Sequence, residues 1–212
     1  KAPLDNLKQS FKVVANTPLK LTKEMYSLPK TYTFLEMFSV GKVEQLNALY
    51  RWRTNNSIVS LQTPIGIDSH GMISVLDIHE KTHGPHGLIA GMTGSGKSEL
   101  ILTYILSLAV NYHPDDVSFV LIDYKGGFVV GALQNNELGI KLPHLAGSIT
   151  NLDTVEMNRS LLSIQSELKR RQRMFNDVRE ELNESTIDIY KYQRLYHEGL
   201  VKEPMPHLLI IC

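Results

Sequence analysis

One octapeptide constrains this chain more than any other feature. Residues 91–98 read Gly-Met-Thr-Gly-Ser-Gly-Lys-Ser and fit G-x-x-x-x-G-K-[ST], the phosphate-binding loop or Walker A motif. Residues 87–90 are predicted to form a short buried strand into the loop, and residues 99–110 a mostly apolar helix leaving it. Because all four fixed positions and both flanking elements are present, a Gly-rich turn that matches by chance is disfavoured.

The residue types of the loop suit the chemistry of a polyphosphate. Backbone N–H groups must approach the phosphates closely, and Gly91, Gly94 and Gly96 remove the β-carbons that would stand in the way. The free N–H groups and dipole at the start of the following helix favour a β-phosphate there. Lys97 is expected between the β- and γ-oxygens, and the Ser98 hydroxyl on Mg²⁺.

ATP and Mg²⁺ are therefore the predicted cofactors. Lys97 and Ser98 are the candidate catalytic residues, and Ser98 is the metal ligand through the nucleotide's Mg²⁺. The predicted nucleotide-binding residues are Gly91, Met92, Thr93, Gly94, Ser95, Gly96, Lys97, Ser98 and Glu99.

Composition limits the other functions open to the chain. It has 212 residues and zero formal net charge. The overall charge therefore does not favour binding to nucleic acid, although a local basic stripe could still bind it. A single cysteine, Cys212, excludes an intramolecular disulfide and suits a reducing compartment. The longest apolar run, residues 100–110, is too short to span a bilayer. Both ends look cut, so we expect a piece of a longer protein.

The order of the predicted elements indicates an α/β fold. A capping box at Thr33 and a helix over residues 43–53 precede a hairpin of strands 64–68 and 72–78. Strands at 117–122, 144–150 and 207–212 then alternate with a long helix capped by Asp153 or Thr154 and a helix from 185 to 198. This alternation predicts a mostly parallel sheet flanked by helices. We divide the chain into an N-terminal extension, 1–62, and a core, 63–212.

The position of the acid that holds the Mg²⁺ water shell is left open by spacing alone. Asp123 ends the first strand after the loop helix and would give a kinase- or GTPase-like arrangement. The alternative acid would follow the buried-strand pattern at residues 208–212, as in motors of the AAA and RecA type, where another strand intervenes.

Several further segments resemble the FtsK/SpoIIIE family of translocase ATPases, and more narrowly the EssC/EccC ATPases of type VII secretion. The resemblance covers roughly residues 33–212 and is carried by segments 77–81, 84–87, 121–127, 144–153 and 203–208, in addition to the loop. It implies a RecA-like P-loop core, ATPase activity, and tandem modules in a membrane-anchored bacterial chain whose ATPase part is cytoplasmic. It also implies ATP-driven export of small helical proteins. The expected partners are nucleotide, other ATPase modules of the same chain or ring, and the exported proteins, with no nucleic acid. The membrane is expected only through parts of the parent chain outside this one.

Two departures from the family pattern affect these expectations. The family's Walker B acids should follow the final strand, where this chain stops, so we expect negligible ATP hydrolysis by the 212 residues alone. After Gly127 the family often continues with a third Gly and a Met. Here Phe128-Val129-Val130 stands instead, with a longer insertion to Leu142, so the conformation of this loop is not predicted.

Other polar residues have a functional and a structural interpretation. His79, His83 and His86, with His70 nearby, are spaced for a metal site but lack a completing cysteine or carboxylate, so packing roles are favoured. Lys125 either approaches the nucleotide or a neighbouring subunit, or is a solvated turn lysine.

The arginines of the long helix are candidates for an arginine that acts on a neighbour's nucleotide. Arg159 is the chosen candidate, because it lies near the start of the helix. A solvated helix face is the commoner explanation for Arg170, Arg171 and Arg173.

Two other functions remain open at this stage. One is an FtsK-like DNA translocase module, and the other is a regulatory or docking module that holds nucleotide with little turnover.

Overall fold

The computed structural model describes residues 28–29, 31–123, 127–135, 137–150 and 154–212. The α-helices are α1 (Phe34–Met37), α2 (Ala48–Thr54), α3 (Lys97–Asn111), α4 (Phe128–Leu133), α5 (Thr154–Glu181) and α6 (Ile189–His197), with a 3-10 turn at Val43–Leu46. The strands are β1 (Gln62–Ile67), β2 (Ile73–Asp77), β3 (Val117–Ile122), β4 (Gln134–Asn135), β5 (Ile140–Lys141), β6 (Leu145–Ile149) and β7 (His207–Ile211). In the described part of the chain, no helix combines the length and apolar character needed to cross a bilayer.

A parallel sheet in the order β6-β3-β7 forms the centre of the molecule. Its middle strand, β3, is buried along most of its length, as expected for a strand covered on both faces. Phe119 lies opposite Leu145 of β6 and Leu209 of β7. The strands predicted at 117–122, 144–150 and 207–212 are thereby confirmed, and so is the α/β class with a parallel sheet.

The helix α3 covers one face of this sheet. Ile105 and Leu108 are fully buried in a core that also contains Phe119 and Val117 of β3. The β1–β2 hairpin, predicted from its turn residues, packs on α3 and is paired antiparallel. The Asn111 amide donates to Thr63 Oγ1 at 2.9 Å, which fixes the hairpin to the end of the helix.

The first helices are shorter than their hydrophobic pattern predicted. The capping box at Thr33 is present, since its hydroxyl accepts from Glu36 N at 3.2 Å and its own N–H donates to the Glu36 carboxylate at 2.7 Å. The single helix predicted over 43–53 is wrong, because Asn47 adopts a left-handed φ of 48° and divides it into a 3-10 turn and α2. A left-handed residue cannot continue a right-handed helix.

The segment before the phosphate-binding loop also differs from prediction, because residues 87–90 form no strand in the described structure. Leu88 is 92% exposed, so this apolar side chain does not pack in the core as a buried strand would require. A strand requires a ladder partner, and both edges of β3 are already occupied by β6 and β7. The local pattern of residues 87–90 contains no information about which edge is free.

The helix α6 ends just before Gly199, as the sequence predicted. At the end of α6, Gly199 has a φ of 75°, and the N–H groups of Gly199 and Leu200 bond to the carbonyls of Tyr196 and Leu195. This is the Schellman arrangement that the predicted Gly199 stop implied. The helix starts later than predicted, at Ile189, because Asp188 caps it through a 2.7 Å bond from Lys191 N.

Candidate functional site: the phosphate-binding loop

The glycines of the loop hold conformations that other residues would resist. Gly94 and Gly96 have φ values of 79° and 88°, in the left-handed region. A β-carbon on Gly91 would lie 2.6 Å from Ser95 Oγ, so a larger residue there would displace the Ser95 side chain. The three glycines of the motif are therefore each explained by backbone conformation or by close approach.

The side chain of Lys97 folds back over the loop. Its ammonium group donates to the carbonyls of Gly91 and Met92, both at 2.7 Å. Ser95 N donates to Met92 O at 3.1 Å and closes the turn from within. The Lys97 ammonium group is thus held beside the backbone of the loop. From there its side chain can turn to a bound anion while the backbone keeps its conformation.

The start of α3 supplies the backbone donors. Gly96 is the residue before the helix, and Leu100 N makes the first intrahelical bond, to Gly96 O at 2.9 Å. The N–H groups of Lys97, Ser98 and Glu99 precede that bond and have no intrahelical carbonyl to meet. Ser98 is exposed, so its hydroxyl is accessible to a metal ion held by a bound phosphate. A helix start of this kind binds anions through its N–H groups and dipole.

The strand order bears on which acid could complete the site. Since β3 is bordered by β6 and β7, the segment at 87–90 can join the sheet only beyond one of them. Asp123 directly follows β3, where its N–H bonds to Ile149 O at 2.8 Å. Residues 87–90 are not part of the described sheet, so the choice between Asp123 and a later acid stays a prediction.

A buried polar cluster anchors the chain that leads into the loop. Asp77 accepts from Ser60 Oγ at 2.7 Å and from the N–H groups of Leu61 and His79, both at 2.9 Å. Burial would raise the pKa of Asp77, but these hydrogen bonds outweigh it and hold the pKa below its ordinary value. The carboxylate therefore stays charged and ties the loop entry to the hairpin.

The histidines of this entry segment have structural contacts. His79 is buried, accepts from Lys81 N at Nδ1, and bonds to Ile58 O through Nε2 at 3.1 Å. His83 Nδ1 accepts from Asp77 N at 3.1 Å. Among the described residues, no group of three or more His, Cys, Asp or Glu side chains is placed to hold a metal ion. The packing interpretation of His79 and His83 agrees with these contacts.

The structure describes only some of the remaining candidate residues. Lys125 and Asp153 lie outside the described residues. Arg170 and Arg171 are paired with Glu167 at 2.7 and 2.8 Å. The Arg170 side chain is still 42% exposed, whereas Arg171 is mostly buried and is not the solvated arginine that the sequence indicated. Arg159 is exposed on α5, and the described residues place no ion-pair partner beside it.

Two features of the site were missed by sequence reasoning. Gly127 has a φ of 74°, and a β-carbon on it would lie 3.4 Å from Thr150, so Gly127 packs against the residue that follows β6. Arg171 bonds to Pro206 O at 2.8 Å and joins α5 to the start of β7. The Gly126-Gly127 pair in the sequence could have indicated the first feature. Nothing in the sequence distinguishes Arg171 from the other basic residues of its run, so the second feature could not have been predicted.

Comparisons with known proteins find relatives in sequence and in structure. The FtsK/SpoIIIE family model matches residues 45–197. The chain is 48% identical over 185 residues to the type VII secretion system protein EssC of Staphylococcus aureus strain NCTC 8325, covering 87% of this chain and 12% of EssC. It is 46% identical over 187 residues to the ESX secretion system protein YukB of Bacillus subtilis strain 168, again covering 87% of this chain and 12% of the relative.

A solved structure extends the match to three dimensions. The cytoplasmic domain of the Thermomonospora curvata type VII secretion ATPase EccC superposes with a TM-score of 0.71 at 32% identity, covering 86% of this chain and 20% of that one. The chain therefore spans about an eighth of the length of its curated relatives and a fifth of the solved EccC chain.

Proposed function

Because the chain belongs to the FtsK/SpoIIIE family of P-loop ATPases, we propose that it is an ATP-binding motor module of a type VII secretion translocase. In this proposal the module couples ATP hydrolysis to the export of small helical proteins. The observation that carries it is the phosphate-binding loop, in which Lys97 lies over a glycine-lined backbone at the start of α3. The relatives at 46–48% identity, which are secretion proteins by name, support the narrower assignment.

The residues of the loop have distinct roles in this proposal. Lys97 exchanges its two carbonyl partners for phosphate oxygens and balances the charge that develops on them. The N–H groups of residues 97–99 hold a phosphate at the helix start, and Ser98 offers its hydroxyl to Mg²⁺. Bound ATP supplies the phosphoanhydride, and Mg²⁺ offsets the negative charge of its oxygens.

The setting of the module is part of the same proposal. We place it on the cytoplasmic side of a bacterial membrane protein, in a chain or ring with other ATPase modules. The solved EccC relative is itself described as a cytoplasmic domain.

A DNA translocase is the alternative function, and the basic character of α5 is the one observation that favours it. Residues 155–173 carry five basic and two acidic side chains. Two of those basic groups are already paired with Glu167, which leaves few for phosphate contacts. Non-specific binding through so few contacts would be weak and sensitive to salt.

The proposal is tested in the full-length parent protein, with Lys97→Ala as the variant and Lys141→Ala, an exposed lysine of the β4–β5 hairpin, as the control. We expect Lys97→Ala to abolish both ATP turnover and export, and Lys141→Ala to retain both. Export that persists without ATP turnover would contradict the motor assignment. Strong stimulation of the wild-type ATPase by duplex DNA at moderate salt would favour the alternative.

A further inference from the structure

The turn that leads into the phosphate-binding loop is organised around His79. The His79 carbonyl accepts from Thr82 N at 2.9 Å and from Gly84 N at 3.3 Å. Its own N–H donates to the Asp77 carboxylate at 2.9 Å, and its side chain is buried. The position of this one residue therefore fixes the path of residues 77–84, which we call the entry turn.

The entry turn and α3 hold the phosphate-binding loop at its two ends. Residues 85–90 join the entry turn to the loop and form no helix or strand in the described structure. At its other end the loop runs directly into α3. A segment without ladder bonds of its own has fewer conformations open to it when both of its ends are fixed. The entry turn therefore influences how often the loop adopts the conformation that binds a phosphate.

A tyrosine from a distant part of the chain covers the ring of His79. Tyr190 lies in the first turn of α6, and its ring centroid is 4.7 Å from that of His79, with 36° between the two planes. The same tyrosine ring lies 5.3 Å from the ring of His207, at the start of β7. Aromatic rings at these distances attract one another. Tyr190 therefore joins the entry turn to β7.

The position of Tyr190 is fixed by its own helix. Asp188 caps α6 by accepting from Lys191 N at 2.7 Å. Further along the helix, Tyr192 and Leu195 are buried in the cluster that α6 forms with α5. Burial raises the pKa of the Tyr190 hydroxyl and outweighs the effect of a hydrogen bond from the Glu80 backbone. Tyr190 is thus an anchored, uncharged side chain that can hold the entry turn in place.

We propose that Tyr190 is a positioning residue for the phosphate-binding loop, which acts by holding His79 and, with it, the entry turn. This role rests on the proposed nucleotide site and extends it to α6. Without the tyrosine ring, the entry turn samples other positions and the loop spends less time in its binding conformation. The apparent dissociation constant for nucleotide then rises in inverse proportion to that time. Because linkage is reciprocal, bound nucleotide in turn stabilises the contact between Tyr190 and His79.

Two substitutions on α6 form a matched pair for the test. Tyr190→Leu removes the ring that covers His79. Tyr196→Leu removes a ring at the other end of the same helix, whose hydroxyl donates to Asp115 at 2.9 Å. Both tyrosines are half-buried, so both substitutions lower the free energy of unfolding. Tyr190→Phe is the conservative variant, because it keeps the ring contacts and loses only the hydroxyl.

The first measurement needs no nucleotide. Amide hydrogen exchange in the 212-residue chain reports how often the bonds from Thr82 N and Gly84 N to the His79 carbonyl open. We expect Tyr190→Leu to speed exchange at both amides at least about fivefold, and Tyr190→Phe and Tyr196→Leu to speed it by less than about twofold. Equal acceleration in Tyr190→Leu and Tyr196→Leu, or none in either, would overturn the proposal.

The second measurement is the affinity of the same chains for ATP·Mg²⁺ by titration calorimetry. Tyr190→Leu should bind about three to ten times more weakly than the wild type, while Tyr190→Phe and Tyr196→Leu stay within about twofold of it. Wild-type affinity in Tyr190→Leu would overturn the positioning role, even if exchange at the entry turn is faster. A wild-type chain that binds no ATP would instead contradict the proposed function, and the exchange result would still decide whether Tyr190 holds the entry turn.

Discussion

At the scale of single residues, the phosphate-binding loop depends on close contacts as much as on charge. Gly91 and Ser95 are the clearest pair, because a β-carbon on Gly91 would lie 2.6 Å from Ser95 Oγ. No residue other than glycine fits at position 91 unless Ser95 moves. The lysine bonds to the carbonyls of Gly91 and Met92 lie directly beside this contact.

We predict that Gly91→Ala weakens ATP binding, and that adding Ser95→Ala restores part of the loss. The double variant removes the hydroxyl that the new β-carbon would meet, so the backbone of the loop can return to its position. Affinities of the two single variants and the double variant form a double-mutant cycle with an expected coupling of about 1 kcal/mol. Additive losses would show that Gly91 is needed for another reason.

Buried histidines make the stability of the chain depend on pH. Burial, with His79 and Arg171 nearby, lowers the pKa of His207 from 6.5 to about 4. Its Nε2 is buried without a hydrogen-bond partner in the described structure. Because the unfolded chain takes up this proton first, stability is fully present above about pH 6.5 and is lost as pH falls towards 4.

We therefore predict that His207→Gln reduces the loss of stability between pH 6.5 and 4 by about 3 kcal/mol. Denaturant unfolding at several pH values measures this, with His86→Gln, an exposed histidine, as the control. Burial also lowers the pKa of His144, so some pH dependence should remain in the variant. An unchanged slope in His207→Gln would contradict the assignment.

At the scale of elements, the sequence predicted what depends on local pattern and missed what depends on partners. The strand at 117–122 and the helix after the loop were predicted because their apolar runs are long and bounded by turns. The strand at 87–90 was wrong because pairing is decided by which sheet edges are free. The break at Asn47 was missed because a left-handed asparagine leaves the apolar spacing unchanged.

The bond from α5 to β7 is an element-scale feature with a measurable effect. Arg171 is mostly buried, bonds to Glu167 and reaches Pro206 O at 2.8 Å. We predict that Arg171→Met lowers the free energy of unfolding by about 1–3 kcal/mol, because it leaves Pro206 O and part of the Glu167 carboxylate without a donor. Arg173→Met, an exposed arginine two residues on, should change it by less than about 0.5 kcal/mol. Equal effects in the two variants would show that Arg171 contributes only surface charge.

At the scale of the whole molecule, the motif and the resemblance located the loop and the fold class, whereas the strand order came only from the structure. Spacing left Asp123 and a later acid equally open. The order β6-β3-β7 does not include residues 87–90, so this choice stays a prediction. The boundary at residue 62 and the roles of the site residues stay predictions.

We further predict that Arg159 acts on the nucleotide of a neighbouring module. It is exposed near the start of α5, whereas Arg170 and Arg171 are held by Glu167. In the full tandem protein, Arg159→Ala should lower ATP turnover sharply while its own module binds nucleotide normally. Arg173→Ala is the matched control. Wild-type turnover in Arg159→Ala would place that arginine elsewhere.

The central claim is that residues 91–99 form a nucleotide site whose charge is supplied by Lys97. Titration calorimetry of ATP·Mg²⁺ into the wild-type chain, Lys97→Ala and Lys141→Ala tests it most directly. We predict saturable one-site binding to the wild type and to Lys141→Ala. Binding to Lys97→Ala should be roughly ten to a hundred times weaker, because a charge-assisted hydrogen bond is lost. Equal affinity of the wild type and Lys97→Ala would contradict the claim.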